Sequence, residues 1–467
     1  MSYYLAADLG AESGRVMLGS LDNGKLSLEE LHRFANTPVR LPDGLYWDSF
    51  RLFHDIVHGL TVAGRERKLS ITGIGVDTWG VDFGLVGPGG GLVDCPRHYR
   101  DERTDGVMEQ LFDVASREEV FSLSGIQFMP INSLYQLYAM RLANAPALHT
   151  AERLLFMPDL FNYWLTGVQR AEVTIASTSQ FYDPREKAFA VAMIERLGIS
   201  SRLLPQLIEP GERLGPLLFH LAESTGLGAA SVFTTAGHDT ASAVAAVPAE
   251  GDDWCYISSG TWSLMGVETA QPVINDRSLE LNFTNEVGVG GRIRLLKNIA
   301  GLWLLQECRR AWAAEGREYS YDELARLAEE AGPAKTLIDV DAFLHPGRMP
   351  RQITEWCSGC SRRAPESVGE FCRTILESLA HRYKQVLDNL EELTGRRINV
   401  IHIVGGGSKN GLLNRLVAET TGRKVVAGPT EATAIGNVLV QAIGAGELSG
   451  LEEARAVVGR SFDVAAV

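Results

Sequence analysis

The chain has 467 residues, which exceeds the roughly 250–300 residues at which a single hydrophobic core stops growing, so two domains are expected. The composition is that of an ordinary globular protein, and the formal net charge of −14 argues against a nucleic-acid partner, whose phosphates need a basic face. No stretch approaches the ~18 uncharged apolar residues of a membrane span, and the N-terminal MSYYLAADLG lacks the basic region of a signal peptide, so we expect a cytoplasmic protein without a membrane partner.

The first predicted element is a hairpin in which two strand-like runs, residues 3–9 and 15–21, flank a tight turn. The turn offers successive backbone N–H groups with Ser13 and Arg15 beside them, which is typical of a polyphosphate site. Asp8 lies just before the turn, where its carboxylate could hold a hydrated Mg²⁺. An ordinary glycine-containing hairpin is the alternative.

Two further apolar strands are predicted within residues 70–86, around a turn that contains Trp79 and Gly80. Gly80 permits a ligand to approach the backbone closely, and Trp79 either offers the ligand a flat apolar face or packs in the core. Farther along, a helix is expected between Pro158 and Gly167, because these residue types are typical of a helix start and a helix end.

The most informative stretch is AGHDTASAV, residues 236–244, which follows a short β-branched strand signal and opens an Ala-rich helix. Asp239 is therefore predicted at a strand-to-helix turn, a position at which α/β proteins bind ligands. The alternative is that Asp239 or Thr240 serves only as the N-cap of the helix.

The second half of the chain repeats the pattern of the first, because residues 256–268 form another strand, short Ser-Gly-Thr turn and strand. Two such hairpins, one opening each half, could grip a triphosphate. Residues 398–422 are predicted as strand, triple glycine and helix, with Ser408 as N-cap and Gly422 as C-cap. A chain with these features but neither a Walker A motif nor an early Rossmann fingerprint favours the actin-like ATPase fold.

The six cysteines do not form a disulfide framework in a chain of this length. Cys357 and Cys360 form one C-x-x-C motif, but zinc would need a second pair of ligands. Because Pro350 and Pro365 flank this motif, we predict a loop-like stretch with a structural role there.

Over nearly its whole length the sequence resembles the FGGY family of carbohydrate kinases. The resemblance is carried, in chain order, by AADLGAESGRVMLG, IGVDTWGVDF, YRDERT, SGIQFMPINSLYQL, MPDLFNYWLTG, GHDTASAV, SSGTWSLMG, LKNIAGLWLLQ and HIVGGGSKN. It implies an α/β fold of two actin-like ATPase (ribonuclease H-like) domains with a central cleft. Residues 1–244 would bind sugar and phosphate and end at the catalytic base, and residues 245–467 would bind the nucleotide.

The resemblance also implies roles for individual residues. Asp239 matches the family's catalytic base, and Asp8 matches its carboxylate near Mg²⁺. The residues implied to contact the sugar are Gly80, His238, Asp239, Thr240 and Asn298. Those implied to contact ATP are Ala11, Glu12, Ser13, Gly14 and Arg15 in the first hairpin, Thr261 in the second, and Gln306 and Gly406 around the adenosine. Many family members have serine at the position of Glu12, so we expect no phosphate contact from its side chain.

The runs DTWGVDF, SSGTWSLMG and LKNIAGLWLLQ are the more specific part of the resemblance. They imply ATP-dependent phosphorylation of L-rhamnulose to L-rhamnulose 1-phosphate in L-rhamnose catabolism, by a monomer or a homodimer. Another ketose or deoxy sugar, such as L-fuculose, is the alternative substrate. A non-catalytic actin-like protein that senses ATP or a sugar is the alternative of a different class. If Asp239 is not the base, Asp77 and Asp82 are the next candidates.

Overall fold

The computed structural model describes residues 1–344 and 347–467, which pack into two compact units. The first unit comprises Met1–Pro248, Glu268–Leu295 and Ala432–Ser461, and the second comprises Ala249–Val267, Leu296–Glu431 and Phe462–Val467. The first unit therefore contains a C-terminal segment in addition to the N-terminal half of the chain.

The described residues form a mixture of strands and helices. The strands are β1 (Ser2–Leu9), β2 (Ser13–Asp22), β3 (Lys25–Ala35), β4 (Val39–Leu41), β5 (Gly44–Tyr46), β6 (Ile71–Thr78), β7 (Phe83–Val86), β8 (Leu92–Asp94), β9 (Arg153–Phe156), β10 (Ala171–Glu172), β11 (Tyr182–Asp183), β12 (Ala188–Phe189), β13 (Leu207–Ile208), β14 (Arg213–Pro216), β15 (Ser231–Phe233), β16 (Trp254–Ser259), β17 (Trp262–Thr269), β18 (Thr284–Val287), β19 (Ile293–Ala300), β20 (Val400–Val404), β21 (Lys424–Ala427) and β22 (Ala465–Ala466). The α-helices are α1 (Ser49–Thr61), α2 (Val107–Phe112), α3 (Arg117–Ser124), α4 (Ser133–Leu142), α5 (Pro146–Thr150), α6 (Met157–Thr166), α7 (Val173–Ala176), α8 (Val191–Arg196), α9 (Phe219–Thr225), α10 (Asp239–Ala245), α11 (Asp276–Glu280), α12 (Trp303–Ala314), α13 (Tyr321–Glu330), α14 (Met349–Gly359), α15 (Val368–Thr394), α16 (Gly411–Thr421), α17 (Ala432–Gly444) and α18 (Leu451–Ser461).

The main sheet of the first unit has the strand order β14-β15-β6-β1-β2-β3. Strand β1 pairs antiparallel with β2 and parallel with β6, which places Asp8 beside Arg15 on one side and beside Asp77 on the other. Because β1 and β6 run in the same direction, their carboxyl ends meet at one edge of the sheet. The two carboxylates therefore lie where an α/β sheet offers a ligand site.

Helices cover both faces of this sheet, and α17 packs closely against β1 and β6. A side chain on Gly73 or Gly75 of β6 would overlap Gln441 or Asn437 of α17, so the two glycines permit this close approach. Gln441 in turn donates from Nε2 to the carbonyl oxygen of Leu5 at 3.0 Å. The C-terminal helix α17 is thus part of the first unit's core.

A second core of the first unit lies away from the main sheet. It packs the three-stranded sheet β8-β7-β9 against helices that include α3 and α4. Its largest buried side chains are Phe121, Tyr135, Phe156 and Phe181. The strands β6 and β7 were predicted as neighbours around one turn, and both are present, but they belong to different sheets. The turn that joins them therefore connects two layers of this unit.

The second large sheet has seven strands in the order β18-β19-β17-β16-β20-β21-β22, of which β16, β20, β21 and β22 lie entirely in the second unit. Strand β16 is antiparallel to β17 and parallel to β20, which is itself parallel to β21. The long helix α15 packs against α13 and α16. Its Tyr383 hydroxyl lies 2.6 Å from the hydroxyl of Ser263 on β17, and this buried bond attaches the helix to the sheet.

Both predicted hairpins are confirmed, but two local predictions are wrong. Residues Gly406–Lys409 form a 3₁₀ turn, so the helix after the triple glycine begins at Gly411 and its N-cap is Asn410, not Ser408. The stretch around the C-x-x-C motif is helix α14 rather than a loop, because Pro350 lies in the first turn, where proline favours a helix start. Each of the six cysteines, all within the described residues, is free.

Among the described residues, no helix combines the length and the apolar character that a membrane span requires.

Candidate active site

The first hairpin places an arginine against the carboxylate of Asp8. Arg15 donates from Nη2 to Oδ2 of Asp8 at 2.6 Å. Asn36 fixes the tip of the hairpin. Its side chain donates to the carbonyl oxygen of Gly10 at 2.9 Å, and its backbone N–H donates to the carbonyl oxygen of Glu12 at 3.0 Å. The side chain of Glu12 is exposed. The hairpin therefore holds a positive and a negative group at a fixed turn.

Asp77 is the most deeply buried carboxylate near Asp8. Its Oδ2 accepts from Nδ2 of Asn437 at 2.5 Å, and its Oδ1 has no hydrogen-bond partner among the described residues. Burial, followed by the negative charges of Asp8 and Asp239, raises the pKa of Asp77 well above its ordinary value. A cation beside these carboxylates would relieve the accumulation of negative charge. The described residues contain no group of three or more acidic, histidine or cysteine side chains that could hold a metal ion by protein ligands alone.

Asp239 is the first residue of helix α10, and His238 occupies the N-cap position without a side-chain cap bond. The interpretation of Asp239 or Thr240 as the N-cap is therefore wrong. Oδ1 of Asp239 accepts from the backbone N–H of Thr240 at 2.6 Å and from its hydroxyl at 3.2 Å. The Asp239 side chain is 29% exposed, so a substrate can reach it. Burial raises the pKa of Asp239, and the neighbouring His238 opposes this shift.

His238 connects Asp239 to the turn at Gly80. Its Nε2 lies 3.4 Å from Oδ1 of Asp239, and a Cβ atom on Gly80 would lie 3.4 Å from the same Nε2. The backbone of His238 also forms an isolated parallel bridge with Thr78 at the end of β6. The structure thus brings together Gly80, His238, Asp239 and Thr240, four of the five residues predicted to contact the sugar.

The residue after Gly80 has a strained backbone. Val81 has φ = 69°, a conformation that a β-branched residue rarely adopts and that costs of the order of 1–3 kcal/mol. Its N–H donates to the hydroxyl of Thr178 at 3.2 Å, and its carbonyl accepts from the hydroxyl of Ser133. These contacts hold the turn in place beside His238.

Asp82 organises the other side of this turn and is unsuited to act as the base. Its Oδ2 accepts from the indole N–H groups of Trp47 at 2.6 Å and Trp79 at 3.0 Å and from the backbone of Tyr99, and its Oδ1 accepts from Gln136 at 2.8 Å. Burial raises the pKa of this carboxyl to about 6. Asp82 is fully buried, so a substrate cannot reach it, and its hydrogen bonds support the turn. Trp79 packs in the core.

A second buried carboxylate holds the backbone just before Asp239. Oε2 of Glu172 accepts from the N–H of Gly237 at 2.8 Å and from the hydroxyl of Thr174 at 2.6 Å. That hydroxyl accepts from the N–H of His238 at 3.2 Å. Burial raises the pKa of Glu172 to about 7. Sequence reasoning missed this pair, which lies more than 60 positions from the loop it supports.

The second unit carries the remaining residues that the resemblance assigns to ATP, and also Asn298, which it assigns to the sugar. Thr261 lies in the turn between β16 and β17, and its carbonyl accepts from the N–H of Trp303 at the start of α12 at 3.1 Å. Gln306 is on α12, and its buried Oε1 has no partner in the part of the chain that the structure describes. Asn298 is on β19, within the second unit.

The three glycines after β20 have different surroundings. A Cβ atom on Gly407 would overlap Ser259 of β16, and one on Gly405, which has φ = 83°, would lie 3.0 Å from the Ser259 carbonyl. A Cβ atom on Gly406 would meet no described atom within 4 Å. Two of the glycines are therefore required for packing, whereas Gly406 leaves space for a ligand.

Family models match both halves of the chain. The N-terminal domain of the FGGY family of carbohydrate kinases matches residues 3–246, and its C-terminal domain matches residues 255–445. The chain belongs to this family. Membership of a family of carbohydrate kinases identifies it as a sugar kinase and excludes the alternative of a non-catalytic sensor.

Curated FGGY relatives and solved structures agree with this assignment. The chain is 46% identical to a rhamnulokinase from Bacteroides thetaiotaomicron, covering 98% of this chain and 94% of the relative, and 41% identical to one from Enterococcus faecalis, covering 98% and 92%. The structure of a xylulose kinase from Lactobacillus acidophilus matches with a TM-score of 0.80 at 14% identity, over 100% of this chain and 93% of that one. Plasmodium falciparum glycerol kinase with ADP matches with a TM-score of 0.79 at 13% identity, over 99% and 94%. These structures share the two-domain, actin-like FGGY kinase fold.

Proposed function

We propose that the chain transfers a phosphoryl group from ATP to L-rhamnulose and forms L-rhamnulose 1-phosphate in L-rhamnose catabolism. The observation that carries this proposal is 46% identity over 98% of the chain to a rhamnulokinase. Similarity over this length includes the segments proposed to bind the sugar, whereas the solved structures, at 13–14% identity, support only the fold. We further propose a cytoplasmic protein that acts as a monomer or a homodimer.

In this proposal Asp239 is the general base that accepts the proton of the attacking hydroxyl. Its carboxylate is accessible, and its raised pKa makes it a stronger proton acceptor than an ordinary aspartate. General-base catalysis contributes roughly 10²–10⁴-fold to such a rate. His238, Thr240, Gly80 and Asn298 would contact the sugar and orient its hydroxyl toward the γ-phosphate.

The first hairpin would bind the ATP phosphates through the backbone N–H groups of its turn and the guanidinium of Arg15. The residues assigned to this contact are Ala11, Glu12, Ser13, Gly14 and Arg15, with Glu12 contributing only its backbone. Thr261 would contact the phosphates from the second hairpin, and Gln306 and Gly406 would contact the adenosine. Residues 1–244 would thus provide the sugar and phosphate contacts and residues 245–467 the nucleotide contacts.

Asp8 is the residue proposed to hold Mg²⁺, with Asp77 next to it in register on β6. Mg²⁺ usually takes one or two protein carboxylates and completes its coordination with water and phosphate oxygens. When bound, it would neutralise charge on the phosphates. The protein's own contribution is to hold Asp8 against Arg15 and to position Asp239 near the acceptor hydroxyl.

A coupled ADP-release assay with Mg·ATP tests this proposal across a panel of ketoses and their 6-deoxy forms. We expect the highest kcat/KM for L-rhamnulose, with phosphorus NMR showing a 1-phosphate product. A higher kcat/KM for L-fuculose would support the alternative substrate. ADP release with none of the sugars, together with intact ATP binding, would contradict the proposed reaction.

A further inference from the structure

We propose that Glu286 and Arg294 are positioning residues for phosphoryl transfer: they hold the ring of His238 so that its Nε2 faces Asp239. This inference deepens the proposed function and rests on it for the identity of the reaction. Neither residue belongs to the sequence runs quoted for the family resemblance. Glu286 is on β18 and Arg294 is on β19, far in sequence from Asp239 at the start of α10.

Three contacts carry the inference. Nδ1 of His238 lies 3.1 Å from Oε2 of Glu286 and 3.1 Å from Nη2 of Arg294. Nη2 of Arg294 also donates to Oε2 of Glu286 at 3.0 Å, so the three side chains form a closed triangle. An imidazole ring is fixed in its plane when one nitrogen is held in this way, and the other nitrogen then points in a defined direction. Here that direction is toward Oδ1 of Asp239, at 3.4 Å.

Burial makes the triangle rigid. The side chains of Arg294, Glu286 and His238 are 0%, 5% and 8% exposed, whereas that of Asp239 is 29% exposed. The groups that fix the ring therefore lie below the surface, and the group that the ring faces can be reached by substrate. Despite burial, the charge of Arg294 and the contacts with His238 keep the pKa of Glu286 below its ordinary value.

Stability alone is a poor explanation for this ion pair. Removing two charges from water costs several kcal/mol, and well-packed apolar side chains often stabilise a core as well or better. The pair is also incompletely satisfied, because Nη1 of Arg294 has no hydrogen-bond partner among the described residues. The backbone of the loop is already held by Glu172 and Thr174. The task left for Glu286 and Arg294 is the orientation of the His238 side chain.

A double-mutant cycle between Glu286 and His238 tests the inference. Glu286→Gln keeps the size of the side chain but removes its charge, and we expect kcat with the accepted sugar to fall about tenfold or more because the site loses its alignment. In the His238→Ala background the same change should cost less than about twofold, since the residue through which Glu286 acts is absent. KM for ATP should stay at the parent value. Equal losses of kcat in the two backgrounds would overturn the inference.

A matched control separates positioning from general loss of stability. Glu268 and Arg455 form another largely buried ion pair in the same unit, at 2.8 Å and with side chains 8% and 13% exposed. We expect Glu268→Gln to lower the melting temperature while kcat of the folded protein stays at the parent value. If Glu268→Gln lowers kcat as much as Glu286→Gln does, the effect is structural and the inference fails.

A second variant and a spectroscopic readout cover the case in which Glu286→Gln leaves Arg294 as a destabilising buried charge. Glu286→Gln combined with Arg294→Met removes both charges, and we expect the loss of kcat to persist at near-parent stability.

The ¹⁵N ring resonances of His238, assigned by their absence in His238→Ala, should shift in Glu286→Gln and not in Glu268→Gln. Unchanged resonances would overturn the inference. This NMR measurement needs no sugar, so it tests the orientation of His238 even if the parent phosphorylates no ketose. Failure to phosphorylate any ketose would contradict only the proposed function.

Discussion

At the scale of single residues, the carboxylates of the first unit divide by what surrounds their oxygen atoms. Asp82 and Glu172 each accept several hydrogen bonds from buried donors, and both support the backbone of a turn. Asp239 accepts hydrogen bonds from Thr240, lies 3.4 Å from Nε2 of His238 and remains accessible. A carboxylate that is both buried enough to have a raised pKa and open enough to meet a hydroxyl is suited to proton transfer.

Replacing Asp239 by asparagine tests its role as the base. We expect kcat to fall by roughly 10²-fold or more, because the amide keeps the shape of the side chain but cannot accept the proton. KM for the sugar, ATP binding and the melting temperature should change little. The matched control is Asp276→Asn, since Asp276 is also the first residue of a helix in the same unit but is exposed. Full activity of Asp239→Asn would remove this residue from the mechanism.

The raised pKa of Glu172 predicts a dependence of stability on pH. Its pKa is about 7 in the folded protein against 4.5 for the free side chain, so the folded state binds more protons between these values. This group's contribution to the free energy of unfolding is complete below about pH 4.5 and is lost as pH rises toward 7, by roughly 3 kcal/mol in total.

Urea unfolding of the parent and of Glu172→Gln at pH 5 and at pH 7.5 measures this contribution. We expect the difference in unfolding free energy, parent minus variant, to be larger at pH 5. A difference that is independent of pH would show that Glu172 does not titrate in this range.

At the scale of elements, the turns after strands carry the predicted ligand contacts, and packing decides which of their residues are free to meet a ligand. In the triple glycine, Gly405 and Gly407 lie against Ser259 of the neighbouring strand β16. Gly406 lies between them and faces open space. The same short motif thus packs against β16 through two glycines and leaves open space at the third, where the adenosine is proposed to bind.

Alanine at Gly406 and at Gly407 should separate these two tasks. We expect Gly406→Ala to leave the melting temperature unchanged and to raise KM for ATP, because the added methyl occupies the space assigned to the adenosine. Gly407→Ala should destabilise the protein by about 1–3 kcal/mol, because its methyl overlaps Ser259. Thermal unfolding and ATP titration of both variants check this prediction. A parent-like KM for ATP in Gly406→Ala would place the adenosine elsewhere.

At the scale of the whole molecule, the chain leaves the first unit and returns to it. Helices α17 and α18 belong to the first unit. More than 180 residues separate α17 from α10 in the sequence, and most of them belong to the second unit. Asn437 of α17 donates to Asp77 of β6, so a C-terminal residue helps to shape the group of carboxylates at the site. The two parts of the sequence therefore depend on each other for folding.

Truncation tests this dependence. A chain that ends at Glu431 lacks α17, and we expect the first unit to lose cooperative unfolding because the apolar face of β1 and β6 is exposed. A chain that ends at Ser461 keeps α17 and α18 and should unfold at a temperature close to that of the parent. Circular dichroism during heating distinguishes the two. Parent-like unfolding of the shorter chain would contradict the assignment of α17 to this unit's core.

Short patterns in the sequence predicted several of the local elements correctly. Correct predictions include both hairpins, the glycine turn before Val81 and the helix that begins at Asp239. Such elements depend on hydrogen bonds between residues that are close in sequence, so apolar alternation and turn residues within about 15 positions suffice to predict them. The resemblance of several such runs to one family then identified the fold. Local rules also misplaced the N-cap at Ser408 and the loop around Cys357, where nearby glycines and prolines are compatible with more than one structure.

The residues that surround the candidate site from distant parts of the chain could be identified only from the folded structure. Glu286 and Arg294 meet His238 across about 50 positions, Glu172 meets Gly237 across 65, and Asn437 meets Asp77 across 360. No pattern in the sequence pairs these residues, since each pairing results from packing of elements that are far apart in the chain. The family resemblance proposed Asp239 as the base, whereas the side chains around His238 and Asp239 became visible only when the whole chain was folded.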